Sequence, residues 1–515
     1  MSRTSRPPAR ARLGAALLVV PALAAGALVA TVSPAAAAPT APPATAGRGG
    51  NVYANLWEWN YRSIGAECTT VLGPAGYAGV QVAPPADSLK RTYTDAEAPL
   101  LHPWWEVYQP VSYNLTSRMG NETEFRDMVS TCRRAGVKVI VDAVVNHMTG
   151  QGTVSYGGVR YTHVRYPGLY GPNDFHTRPD DCDSASGGIE DFNDVKQVTQ
   201  CELLGLADLD TGSLRVRNIL AGYLNKLLSY GVTGFRVDAA KHIGVPDLQA
   251  IQKLLTNTVD GNRPYFALEV FPGGPGVLSQ RYFQNAGDVL GFDYAYQVKN
   301  AFKSYTADGV GNITGLEVFG EQSGLVPGDQ SLVFIENHDT ERGTETLSYK
   351  DGRTNLVANM FMLAHPYGTP QVYSSFAWTN TYDSPPAKAN GLITDTDCSS
   401  TAWVCVDRDA GVTAMVGFAN RTGNAPVRSW WDDGQNTIAF SRGTSGFFAA
   451  NNSQTATTAT IPTSLPAGTY CDIVHGGKTG TSCNGPRIVV DSNGLARVTV
   501  QPKDAIAFTT AARVR

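Results

Sequence analysis

Three short stretches of this chain end in carboxylates where apolar strands should stop. They are Gly234–His242 (GFRVDAAKH), Phe266–Val270 (FALEV) and Phe334–Asp339 (FIENHD). Strand residues alternate faces with period two. Arg236 therefore shares a face with Asp238, and Asn337 with Asp339, while Phe235 and Val237 point the other way, toward covering helices. Inward charge at the end of an apolar strand is costly unless it has work to do. The work that carboxylates do is acid–base and nucleophilic catalysis.

The elements that must position these groups can be read from the flanking pattern. Short strand runs at Val52–Trp57, Gly79–Ala83 and Val137–Val145 alternate with amphipathic helices, as at Glu124–Ala135 and Leu214–Tyr230. In the second helix Val216, Ile219, Leu220, Tyr223, Leu224, Leu227 and Leu228 fall on one side, and Gly231 follows as a stop signal. Strands near 234–239, 265–270, 331–336 and 370–374 continue the alternation. Such repetition predicts a (β/α)8 TIM barrel, whose active-site residues sit at the C-terminal ends of the strands.

The barrel is expected over residues 51–146 and 209–433, interrupted after its third strand by an excursion domain over 147–208. That interval is too long for a simple loop. From 434 to 515 the helical pattern stops, and runs such as Thr437–Phe440, Gly446–Ala449, Arg487–Val490 and Ala496–Val500 predict a C-terminal antiparallel β-sandwich. Ahead of the barrel, Arg3, Arg6, Arg10 and Arg12 precede an apolar run and then Pro34–Ala38. This reads as an export signal over about 1–38, with a Pro/Ala-rich linker over 39–50.

The 515 residues are 42% hydrophobic and 17% charged, and a formal charge of −4 gives no reason to expect nucleic acid or a membrane as partner. Eight cysteines in an exported chain read as four disulfides. Cys398 with Cys405 and Cys471 with Cys483 are close enough for local staples, and Cys68, Cys132, Cys182 and Cys201 remain for longer bridges of open connectivity.

Together with Asp142–His147 (DAVVNH), the three stretches resemble the four segments of the secreted α-amylases of glycoside hydrolase family 13. His102–Tyr113 (HPWWEVYQPVSY) and Ala364–Gly368 (AHPYG) resemble the animal-type subgroup. The resemblance implies an extracellular, endo-acting hydrolase of internal α-1,4-glucosidic bonds, with starch and maltooligosaccharides as partners and the chain a monomer. Asp238 would be the nucleophile, Glu269 the acid/base, and Asp339 a group that favours the oxocarbenium-like transition state. Trp104, Trp105, Tyr108, Gln109, His147, Arg236, Lys241, His242 and His338 would bind substrate, Arg236 also keeping Asp238 ionised. A maltooligosaccharide-forming sibling and a catalytically silent glucan-binding protein are the competing expectations.

By the same resemblance a structural calcium ion is held by the Asn146 side chain, the Thr199 and His242 carbonyls and the Asp208 carboxylate. The implied disulfides are Cys68–Cys132, Cys182–Cys201, Cys398–Cys405 and Cys471–Cys483. Animal-type relatives bind an activating chloride through an arginine, an asparagine and a further basic residue. Arg236 and Asn337 match, but Gly368–Val372 (GTPQV) carries neutral Gln371 at the third position. Chloride dependence is therefore not expected.

Overall fold

The structure is a computed structural model and describes residues 52–94, 100–303 and 311–514. The expected export signal and its linker lie outside the described residues.

Eight parallel strands form the barrel: β1 Tyr53–Leu56, β2 Gly79–Val82, β3 Lys138–Ala143, β4 Gly234–Val237, β5 Tyr265–Leu268, β6 Asp288–Leu290, β7 Ser331–Val333 and β8 Thr369–Phe376. Each pairs with the next, and β8 returns to β1 in the register Tyr53↔Gln371 to Leu56↔Ser374, which closes the ring. Seven strands fall where apolar runs predict them. The sequence reading passes over β6, which has only three residues and follows Gly287.

The alternation holds along β4. Phe235 and Val237 join the core beneath the helices, and Arg236 turns into the barrel. Lower in the interior the Tyr53 and Tyr265 rings stack at 6.2 Å. A Cβ on Gly79 would lie 2.5 Å from the Tyr53 ring, so this floor admits only glycine there.

The helices behave as amphipathic covers. Leu214–Ser229 buries Val216, Leu220, Tyr223, Leu224, Leu227 and Leu228, and Gly231 follows at φ 103°. Glu122–Arg134 starts at a reciprocal cap, where Asn121 Oδ1 accepts from the Glu124 N–H and the Glu124 carboxylate accepts from the Asn121 N–H.

Residues 147–208 contain little regular structure. Isolated bridges, the Cys182–Cys201 bond and the Val195–Gln200 helix organise them. Asp87 anchors them to the loop after β2, its carboxylate accepting from Ser112, Ser155 and the Gly157 N–H at 2.7–3.0 Å. The other three disulfides are Cys68–Cys132, Cys398–Cys405 and Cys471–Cys483.

The C-terminal sheets are antiparallel. One pairs Val427–Asp432, Thr437–Arg442, Gly446–Asn451 and Asp504–Thr509; the other contains Thr457–Pro462, Leu495–Val500, Arg487–Val490, Gly468–Cys471 and Arg513–Val514. The first is buried on both faces: Phe440, Phe448 and Ala507 join the barrel's core, while Ala439, Phe447 and Phe508 face the second sheet. Its first strand, Val427–Asp432, lies ahead of the expected boundary at 433/434. Both of its tryptophans are partly buried, one against each core, so it lacks a simple in–out alternation. Among the described residues no helix is long and apolar enough to cross a membrane.

Candidate active site

Asp238 is the first residue after β4 and Glu269 the first after β5, so neighbouring strands deliver the two acids to one end of the barrel. Asp339 arrives differently. β7 ends at Val333, and residues 334–339 leave the strand, so alternation does not govern the Asn337/Asp339 pair. Instead Asn337 Oδ1 accepts from the N–H groups of Asp339 (3.1 Å) and Thr340 (2.9 Å) and from the Thr340 hydroxyl (3.0 Å), and this turn fixes the third acid.

Arg236 sits beneath the acids and is 1% exposed. Its Nη1 donates to Asp142 Oδ1 and Asp238 Oδ1, both at 2.7 Å, and its Nη2 donates to Glu269 Oε1. Arg236, expected among the substrate contacts, is not among the residues that line the cleft, whereas Asp238 and Glu269, which it holds, are. Ala239, at φ 48°, turns the chain after Asp238 so that its N–H donates to Glu269 Oε2 at 2.8 Å.

Three carboxylates thus share one guanidinium, with Asp339 nearby, and they cannot all be ionised at little cost. Burial raises the Glu269 carboxyl above its ordinary range and the Asp238 charge adds to this, against Arg236. Asp238 is raised by burial and pulled back by Arg236 alone. Asp142 is pushed up to about 7 by burial. Burial and the Glu269 charge also raise Asp339, although 31% of its side chain is open to the cleft and water softens the effect. Burial lowers His147 and His242 to about 4 and holds His338 well below its ordinary range, so all three imidazoles are neutral near pH 7.

The acids open into a cleft of about 770 Å³. One wall carries Trp104, Trp105, Tyr108 and Gln109. The His338 ring stacks on Tyr108 at 4.9 Å and on Trp57 at 5.0 Å, and the Tyr108 hydroxyl donates to Asp142 Oδ2 at 2.9 Å. His147 Nε2 donates to the Tyr108 carbonyl at 3.1 Å. Opposite, Lys241 Nζ donates to the carbonyls of Phe271 and Gly273, and His242 Nδ1 to that of Val198.

Sequence reasoning missed Phe192, Leu203, Leu204, Leu206 and Phe271, which also line the cleft. Leu204 is 90% exposed at φ 54°. Phe192 and Phe271 are single apolar residues, and Leu203, Leu204 and Leu206 cluster at one short 3-10 turn, so no strand or helix period marks any of them.

The four residues expected to hold calcium lie behind the cleft wall, and only His242 reaches the cleft itself. Asn146 Nδ2 donates to Asp208 Oδ1 at 3.3 Å, and a backbone bridge joins His147 to Asp208. Among the described residues no group of three or more His, Cys, Asp or Glu side chains could hold a metal. Gln371 is buried, its amide donating to Gln81 Oε1 at 3.0 Å.

A closed eight-stranded barrel whose strand ends bring paired carboxylates into an aromatic-walled cleft is the architecture of a glycoside hydrolase. Known proteins narrow this. Residues 108–460 match the alpha amylase catalytic domain and residues 429–511 the alpha amylase C-terminal all-beta domain. The chain is 41% identical to an alpha-amylase of Streptomyces violaceus, over 89% of this chain and 74% of that one. It is 39% identical to pancreatic alpha-amylase of Sus scrofa, over 89% and 93%. The crystal structure of alpha-amylase I from Eisenia fetida superposes with a TM-score of 0.84 at 35% identity, covering 90% of this chain and 98% of that one. The chain belongs to the alpha-amylase family, glycoside hydrolase family 13, and is a glycoside hydrolase of starch.

Proposed function

We propose that the chain cleaves internal α-1,4-glucosidic bonds of starch and maltooligosaccharides with retention of configuration. Asp238 attacks the anomeric carbon and forms the glycosyl-enzyme. Glu269 protonates the departing oxygen and then takes a proton from the incoming water, and Asp339 favours the oxocarbenium-like transition state. One observation carries this reading: Asp238 and Glu269 are held by the two terminal nitrogens of the Arg236 guanidinium. A shared fork favours the spacing of about 5–5.5 Å used by retaining enzymes over the 6.5–9.5 Å of inverting ones. The raised Glu269 carboxyl suits a proton donor, and Arg236 favours an ionised Asp238. A Glu-to-Gln variant of the earthworm enzyme has been solved in a maltohexaose complex, which supports maltooligosaccharides as ligands.

Asp238→Asn and Glu269→Gln should each lower kcat by about three orders of magnitude or more. The first product released by the native enzyme should be the α-anomer by NMR. A β-anomer, or near-normal starch hydrolysis by either variant, would overturn the assignment.

Asn146, Asp208 and the carbonyls of Thr199 and His242 offer an oxygen-only set with one carboxylate, which fits calcium. Burial pushes Asp208 up to about 7, opposed by the His176 Nδ1 that donates to it at 2.6 Å, and a cation would keep it ionised. Thr199 lies in the last turn of Val195–Gln200, where carbonyls lack helical partners. Bound calcium supplies a fixed charge tying 147–208 to the barrel, and it takes no part in the chemistry. Chloride activation is not expected, since Gln371 brings no charge and Arg236 already serves three carboxylates.

We also place the protein outside the cell as a monomer, processed near residue 38. The proposed division is a barrel over 51–146 and 209–433, an excursion over 147–208 and a C-terminal domain from 434, with strand Val427–Asp432 paired into the latter's sheet.

A further inference from the structure

We propose that Tyr156 of the excursion is a positioning residue for the aromatic wall of the cleft, acting through Glu106 on Trp105. By this route residues outside the cleft set the platform on which sugar rests. The inference rests on the reading of Trp105 as a substrate contact.

The wall is built on one short 3-10 turn, Trp104–Tyr108. Within it the Glu106 N–H donates to the Pro103 carbonyl and the Gln109 N–H to the Glu106 carbonyl, both at 3.2 Å. A single 3-10 turn is weakly held by such bonds, so groups from elsewhere must fix it. Residues 147–156 of the excursion supply three. His147 Nε2 donates to the Tyr108 carbonyl at 3.1 Å, the Gly150 N–H to Gln109 Oε1 at 3.0 Å, and the Tyr156 hydroxyl to Glu106 Oε2 at 2.7 Å.

The Tyr156 bond differs from the other two in what it reaches. Two rings of the wall are tied down by bonds of their own. The Tyr108 hydroxyl donates to Asp142 and accepts from Trp57 Nε1 at 3.2 Å, and Trp104 Nε1 donates to the Thr381 carbonyl at 2.8 Å. Trp105 is supported differently. The guanidinium carbon of Arg91 lies 5.4 Å from its ring centre, and the Arg91 N–H donates to Glu106 Oε1 at 2.5 Å. Glu106 therefore acts on Trp105 twice, as its neighbour in the turn and through the Arg91 backbone.

Glu106 is 0% exposed, so its carboxylate depends on protein donors alone. Arg91 takes one oxygen and Tyr156 the other. His102 Nδ1 closes the group at 3.0 Å from the Tyr156 hydroxyl and 3.2 Å from Glu106 Oε1, and Arg118 Nε lies 3.8 Å from Oε2. Hydrogen bonds to an ionised acceptor are short and strong, and two of them on opposite oxygens fix the direction of the carboxylate. Removing the Tyr156 hydroxyl frees one oxygen to turn toward His102 and Arg118, and the turn that carries Trp105 must follow.

The test compares Tyr156→Phe, Glu106→Gln, Trp105→Ala and the double variant Tyr156→Phe/Trp105→Ala. The readouts are the Kd of maltohexaose in a Glu269→Gln background and kcat on a chromogenic maltooligosaccharide, with Tm followed alongside. We expect Kd to rise by about thirtyfold in Trp105→Ala, about tenfold in Glu106→Gln and about fivefold in Tyr156→Phe, the last two with kcat changed less than about twofold. The double variant should bind within about twofold of Trp105→Ala alone, because the ring to be positioned is gone. An unchanged Kd in Tyr156→Phe, with Tm lowered or not, would overturn the proposal, as would a loss confined to kcat or losses that multiply in the double variant. If Glu106→Gln does not fold, Tyr156→Phe and the double variant decide it by the same criteria. Trp105→Ala separates the failures: an unchanged Kd there sinks the reading of Trp105 and this inference with it, whereas a large rise there beside an inert Tyr156→Phe sinks this inference alone.

Discussion

Replacing Arg236 with lysine keeps one positive charge and removes the fork. The native guanidinium serves Asp142 and Asp238 from Nη1 and Glu269 from Nη2. A single ammonium can follow one of the two catalytic acids but cannot hold both at a fixed spacing. A hydrogen bond to a charged group contributes about 1.5–3 kcal/mol. Losing one where it matters only in the transition state should lower kcat by about ten- to 150-fold, at 1.36 kcal/mol per decade. Arg236→Met goes further and leaves Asp142, Asp238 and Glu269 without the cation they share. Breaking a buried ion pair from one side costs about 3–5 kcal/mol, less whatever the acids recover by taking up protons. Arg236 opposes the burial that raises Asp238, so without it the nucleophile stays protonated to higher pH. The acid limb of kcat/KM must therefore move toward higher pH in Arg236→Met. Steady-state kinetics on a chromogenic maltooligosaccharide from pH 4 to 9, with Tm followed in parallel, reads all three effects. Arg236→Lys within about threefold of the native kcat, together with an unmoved acid limb in Arg236→Met, would refute the shared-fork argument.

Chelation should lower Tm and activity together, and Asp208→Asn should lose most of that sensitivity; a scan with and without EDTA checks it. Activity in chloride-free buffer should lie within about twofold of that with added sodium chloride, since no second buried cation joins Arg236 at the Gln371 position; a steep rise with chloride would show otherwise. Glu58 is raised from 4.5 to about 8 in the folded state, so its contribution to stability is full below pH 4.5 and is lost as pH rises through 8. Glu58→Gln should therefore raise Tm relative to the native protein at pH 8–9 more than at pH 4–5, and parallel Tm curves would contradict the assignment.

Much of the barrel could be read in advance because its strands are apolar runs bounded by breakers, and β6 escaped because its apolar run is only Val289 and Leu290, between Asp288 and Gly291. Asp238 and Glu269 were legible for the same reason, each standing one residue past a readable strand. Asp339 was legible by type only: its place depends on the Asn337 turn, which a period-two reading cannot describe. The exposed Leu204 left no trace, and the Thr199 carbonyl proposed for calcium was reached only through the family resemblance, since a backbone oxygen has no side-chain signature. Arg236 shows where reading by face alone stops short. It shares a face with Asp238 but precedes it by two residues, which along a strand rising about 3.3 Å per residue sets its Cα about 6.6 Å deeper in the barrel. From that depth a long side chain rises to meet the carboxylates from below, and the cleft opens on their other side. The alternation that put Arg236 on the catalytic face therefore also set it below the acids that line the cleft, once depth along the strand is counted with direction.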